Sequence, residues 1–116
     1  MGTARSHGRA GESLAAAYLE LLGWEVVQRN ARIHGVEVDL LAVEGRTRVL
    51  VEVKYRGRVD FGGAALAVDH DKRARLRRAA LGLEAAGVRW VRVDVVALDL
   101  TDDGLRLRHY RNAVQS

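Results

Sequence analysis

Between Val36 and Tyr55 the chain carries two runs of Val, Leu and Ala that are broken by Glu37, Asp39, Glu52 and Lys54. Charged groups do not enter apolar strands freely. An unpaired buried carboxylate or ammonium costs roughly several kcal/mol or changes its protonation state. This stretch can therefore fold only where its charges find one another, a cation, or both. The lysine adds a second clue, because the chain uses 17 Arg and only 2 Lys. A lysine supplies a compact charge whose pKa responds to burial, which a guanidinium does not.

Residues 36–43 and 48–55 are rich in β-branched side chains and flank Glu44-Gly45-Arg46-Thr47, the pattern of a β-hairpin. A two-residue Gly45-Arg46 loop with Gly first fits a type II′ turn, and residues whose numbers sum to 91 then face each other. Asp39 lies opposite Glu52 and Glu37 opposite Lys54. Side chains alternate with period two, which predicts all four on one face.

Two readings follow. Cross-strand ion pairs, Glu37 with Lys54 and Arg48 with Glu44, would close the sheet and leave the acids structural. That reading handles Lys54 well and Asp39 badly, because like charges facing each other are destabilising without a cation between them. A divalent ion would supply it. Two carboxylates and a strand carbonyl, completed by water, make the oxygen-rich set that Mg²⁺ prefers.

Asp39 followed by Glu52-Val53-Lys54 resembles the PD-(D/E)XK nuclease signature, and its flanks narrow the match. Gly8-Arg9-Ala10-Gly11-Glu12, Ala17-Tyr18-Leu19, Gly23-Trp24, Arg29-Asn30-Ala31-Arg32, Glu37-Val38-Asp39-Leu40 and Val51 to Arg56 occur in that order. Together they resemble the YraN-like bacterial family, itself similar to archaeal Holliday junction resolvases. Two departures stand out: Val38 replaces the proline that names the signature, and Val36 separates Gly35 from the acidic run. The resemblance implies a metal-dependent nuclease acting on DNA phosphodiesters, including branched or recombination DNA. Asp39, Glu52 and the Val53 carbonyl would hold Mg²⁺, with Mn²⁺ as a substitute, and Lys54 would orient or deprotonate the attacking water. Glu12 would reach the metal site from the first helix. It also implies a homodimer, since symmetric junction cleavage needs two sites.

Length and composition suit a single domain over residues 1–116, with 1–7 and 112–116 expected to be flexible ends. The absence of Cys excludes disulfides and thiolate metal sites, and no apolar run reaches membrane-spanning length. A cytoplasmic protein without membrane partners is expected. His7, His34, His70 and His109 lack ligand-like spacing and read as surface or loop residues. Periodicity predicts helices over 12–22 and 69–86, and strands over 24–29, 36–43, 48–55, 88–100 and 105–111. The order α-β-β-β-α-β-β implies an α/β fold with a mixed central sheet flanked by helices, a restriction-endonuclease-like core.

Glu12 sits at the edge of an apolar helix face, where a first-turn acid stabilised by the helix dipole is the ordinary reading. Asp94 beside Arg92 reads as a structural pair. Gly8 and Gly11 read as positions of close approach. Arg56, Arg58, Lys72, Arg73, Arg75, Arg77 and Arg78 cluster within a chain of net charge +4. Such clusters track phosphate backbones without base specificity, although a solvated helix face looks alike. Tyr55, Arg56, Lys72, Arg73, Arg75 and Arg78 are the expected nucleic-acid contacts. The competing class is a non-catalytic nucleic-acid-binding module whose acids are structural. A third is a protein whose basic helix meets an acidic protein partner.

Overall fold

A computed structural model describes residues 4–56 and 70–114, with side chains from Arg9 onward. Arg58 and the glycines at 57, 62 and 63 lie outside the described residues. The elements run α1 (Ala4–Leu21), β1 (Glu25–Ile33), β2 (Val36–Glu44), β3 (Thr47–Arg56), α2 (His70–Ala85), β4 (Val91–Thr101) and β5 (Gly104–Tyr110). This is the expected order. The strands form one five-stranded sheet in the order β1-β2-β3-β4-β5. Neighbours are antiparallel except β3 and β4, whose parallel pairing requires the long crossover that carries α2.

Turn chemistry sets the hairpins. Gly45 has φ 60° in the two-residue loop, and Leu40↔Val51 through Glu44↔Thr47 pair in the predicted register. Between Ile33 and Val36, His34 (φ 49°) and Gly35 (φ 77°) are both left-handed, as a type I′ turn requires. Gly35 thus belongs to the turn, and Val36 is the first residue of β2.

The two helices cover opposite faces of the sheet. Ala15, Ala16 and Leu19 of α1 pack on Leu40, Ala42, Val49, Val51, Val96 and Leu98. Leu76 and Ala79 of α2 pack on Val38, Leu50, Val93 and Val95. Burying such aliphatic side chains contributes roughly 1.5–3 kcal/mol each, which offsets the modest helix propensity of both segments. Among the described residues no helix is long and apolar enough to cross a membrane.

Several expectations need correction. α1 begins at Ala4, eight residues before the expected start at residue 12. The helix packs closely on the sheet at Gly11, where a Cβ would stand 3.3 Å from Leu98 Cδ1 and 3.7 Å from Val53 Cγ1. At the other end, the Ala113 N–H donates to the Val93 carbonyl at 2.8 Å and Val114 is buried in the core. β1 continues past residue 29 to Ile33. His109, expected at the surface, is largely buried, its Nε2 2.8 Å from Asp94 and its Nδ1 2.8 Å from the Tyr18 hydroxyl.

Candidate carboxylate site and basic face

The site lies where β2 and β3 separate. Their ladder is regular up to Leu40↔Val51, and the next hydrogen-bonded pair in that register would be Val38 with Val53. Instead the Val53 N–H donates to Asp39 Oδ2 at 2.8 Å. Such pairs exchange both bonds, so the Val53 carbonyl faces the same opening.

The separation has a backbone cause. Strict alternation would put Val38 and Leu40 on one face, yet Val38 packs with α2 and Leu40 with α1. β2 therefore changes sides at Asp39. In β1, Arg29 pairs with Leu40 and Ala31 with Val38, which stands Asn30 opposite Asp39. Asn30 has φ 51°, a left-handed conformation that its short polar side chain tolerates better than most. This pair of irregular residues overturns the expectation of four charges on one face. Glu52 and Lys54 do share the α2 face, by alternation from Leu50, but among the described residues no ion pair joins Glu37 to Lys54. The expected Arg48–Glu44 pair is also absent among the described residues, because Glu44 binds Arg92 at 2.9 Å and Arg111 at 2.7 Å.

The partner of Glu52 comes from elsewhere. Lys72 of α2 places its Nζ 3.0 Å from Glu52 Oε2, while Glu52 Oε1 is buried without a hydrogen-bond partner. Burial, together with the neighbouring Asp39 carboxylate, pushes the Glu52 pKa up from 4.5 to about 7, with Lys72 pulling the other way. The two carboxyls are close enough that a proton on one would bond to the other. Glu12 approaches Asp39 from the α1 side. Its pKa is raised by burial first and then by Asp39, against a hydrogen bond from the Asn30 side chain.

These groups fit a cation only in part. Among the described residues, no three His, Cys, Asp or Glu side chains stand close enough together to hold a metal ion, so Glu12 does not complete a triad with Asp39 and Glu52. The adjacent acids, an orphaned buried carboxylate oxygen and a strand carbonyl are nevertheless a donor set short of positive charge. The Lys72 ammonium supplies some of that charge in this arrangement.

The expected nucleic-acid contacts divide. Arg73, Arg75, Arg77 and Arg78 are exposed on α2. Tyr55 packs with the α1 layer, on the opposite face from Glu52. Arg56 is committed to buried Asp99, at 3.2 Å, and Arg108 binds the other oxygen of the same carboxylate. Arg56 is therefore first a structural partner. Sequence reasoning gave no role to Asn30 or Arg32; an Asn beside an acidic strand is a signal for a left-handed residue, but only with the register known.

The family model described as Uncharacterised protein family UPF0102 matches residues 11–98. The UPF0102 protein of Geobacter sulfurreducens is 43% identical over 112 residues, covering 93% of this chain and 88% of the relative. That of Stutzerimonas stutzeri is 39% identical over 121 residues and covers both chains fully. Among solved structures, the Ca²⁺ complex of SfsA from Pyrococcus furiosus aligns with a TM-score of 0.37 at 16% identity, over 97% of this chain and 65% of that one. With most of its length matched and relatives near 40% identity, the chain belongs to the UPF0102 family, the YraN-like family that its motifs resemble.

Proposed function

We propose that this protein is a metal-dependent endonuclease acting on DNA phosphodiester bonds, including those of branched or recombination DNA. The observation that carries the reading is buried Glu52 beside half-buried Asp39, with Glu52 Oε1 unpartnered and the Glu52 pKa pushed up to about 7. Groups whose pKa is shifted by burial and by a like charge beside them cluster at functional sites. Asp39, Glu52 and the Val53 carbonyl would hold Mg²⁺ or Mn²⁺, which when bound supplies a water of lowered pKa and charge against the phosphate. Lys54 Nζ, on the same face as Glu52, orients the attacking water or takes its proton. Glu12 acts through Asp39 and Asn30 as a positioning residue. The exposed α2 cations hold the phosphate backbone, so affinity is salt-dependent and largely independent of sequence. Self-association belongs to the same proposal and is checked by molecular mass in solution.

The Lys72–Glu52 ion pair favours a second reading, a non-catalytic DNA-binding module in which the acids are structural. Lys54→Met separates the two. Lys54 makes no ion pair among the described residues, so the change should move the urea midpoint by the equivalent of about 1 kcal/mol or less. It should abolish cleavage of linear, flapped or four-way DNA in Mg²⁺ or Mn²⁺ while leaving DNA binding intact. Full cleavage by the folded variant would end the catalytic role of Lys54. Failure of the wild type to cleave any of these substrates would leave the binding module.

A further inference from the structure

Beside the carboxylates, the β1–β2 turn and the first turns of α2 enclose an open notch of about 490 Å³, counting the solvent at its mouth. Arg32, Gly35, Val36, Glu37, Lys72 and Arg75 line it. Lys72 is already paired with Glu52, so the notch sets two arginines, Arg32 and Arg75, against the single carboxylate of Glu37, an excess of positive charge that suits an anion. Arg32 and Glu37 are partners in the β1–β2 register, yet among the described residues they form no ion pair. The Arg32 Nη1 instead donates to the Gly35 carbonyl at 3.2 Å, which fixes the guanidinium and leaves its other N–H groups for the notch. Arg75 likewise makes no ion pair among the described residues.

We propose that this notch binds a backbone phosphate of the nucleic acid, with Arg32 and Arg75 as its clamps and Lys72 as the link to the carboxylate site. The identity of the ligand rests on the function proposed above; its charge and shape rest on these side chains. Arginine forks suit a phosphate, whose several oxygens accept parallel N–H bonds. Lys72 sets the location. An oxygen bonded to its Nζ lies about 3 Å from it, and Glu52 Oε2 is 3.0 Å away on the other side, so the bound phosphate stands on the order of 6 Å or less from Glu52. The notch therefore places the substrate strand next to the acids rather than merely on the protein. Arg32 enters the site from a turn in which no basic cluster is legible.

The test is equilibrium binding of a fluorescein-labelled DNA duplex to the full chain in EDTA across a series of KCl concentrations. Arg32→Ala and Arg75→Ala should each weaken binding on the order of tenfold and lower the salt slope by about 0.9. Arg32→Lys should keep the wild-type slope, which separates lost charge from a disturbed turn. Arg46→Ala, at the exposed tip of the β2–β3 hairpin, should change little. Wild-type affinity and slope in both alanine variants, or an equal loss in Arg46→Ala, overturns the notch. No metal is present, so the outcome is independent of cleavage. A protein that cleaves DNA yet ignores Arg32→Ala keeps its nuclease function and loses the notch; one that binds through the notch but never cleaves does the reverse.

Discussion

Glu52→Gln is expected to abolish metal-dependent cleavage and, at the same time, to make the protein more stable at pH 8. The folded-state pKa of about 7 lies above the ordinary 4.5, so the native protein holds the Glu52 proton longer than the unfolded chain does. Stability from this group is fully present below about pH 4.5 and is lost as pH rises through 7. A shift from 4.5 to about 7 corresponds to about 3 kcal/mol, of which part is recovered by a neutral amide that keeps the shape. Urea midpoints from pH 4 to pH 8 should fall for the wild type and stay flat for the variant. Addition of Mg²⁺ at pH 8 should raise the wild-type midpoint through binding to the folded state alone, and should leave Glu52→Gln unmoved. Identical pH profiles would show that another group titrates. A wild type indifferent to Mg²⁺ and Mn²⁺ would make the acids structural.

Asp94→Ala should be strongly destabilising. The Asp94 carboxylate is fully buried and accepts from Arg92 Nε at 2.8 Å and Nη2 at 3.0 Å, from the Asn112 N–H at 3.0 Å, and contacts His109 Nε2 at 2.8 Å. Burial alone would raise its pKa, but the bonds from His109, Arg92 and Asn112 outweigh it and hold the group below its ordinary value. The cluster ties β4 to the C-terminal segment and, through His109 and Tyr18, to α1. Removing the acid strands its donors inside the protein, at a cost of about 3–5 kcal/mol, a large share of what a domain of this size has. Because its pKa is lowered, its contribution is lost only as pH falls below about 3.8. Its own titration adds nothing to the slope between pH 5 and pH 8, where Glu52 acts. A loss below 1 kcal/mol in the urea midpoint would show that the cluster relaxes and is not a clasp.

Lys54 shows the limit of arguing from one hairpin. Its place on the Glu52 face follows from alternation along β3, but its expected partner Glu37 does not reach it, because β2 changes sides at Asp39. No spacing signals that change: it requires both Asn30 in a left-handed conformation and the strand opposite it. Arg56 shows the same limit for charge. A run of cations in sequence does not reveal that one of them must neutralise a buried acid on the neighbouring strand.

What this sequence determined by itself was local. The register of the β2–β3 hairpin follows from a two-residue loop with Gly45 at its head, and the side of β3 that carries Glu52 and Lys54 follows from a period of two. The order of elements, and with it the mixed sheet, follows from the switch between periods along the chain. Tertiary structure decided the rest: Lys72 on Glu52, His109 beneath Asp94, Arg32 in the notch, and the packing of α1 by way of Gly11. Each joins residues from different elements, on neighbouring strands or where a helix is laid across the sheet. Periodicity says which face an element buries, whereas the depth and offset at which two faces meet depend on the side chains of both, and only the folded chain brings those together.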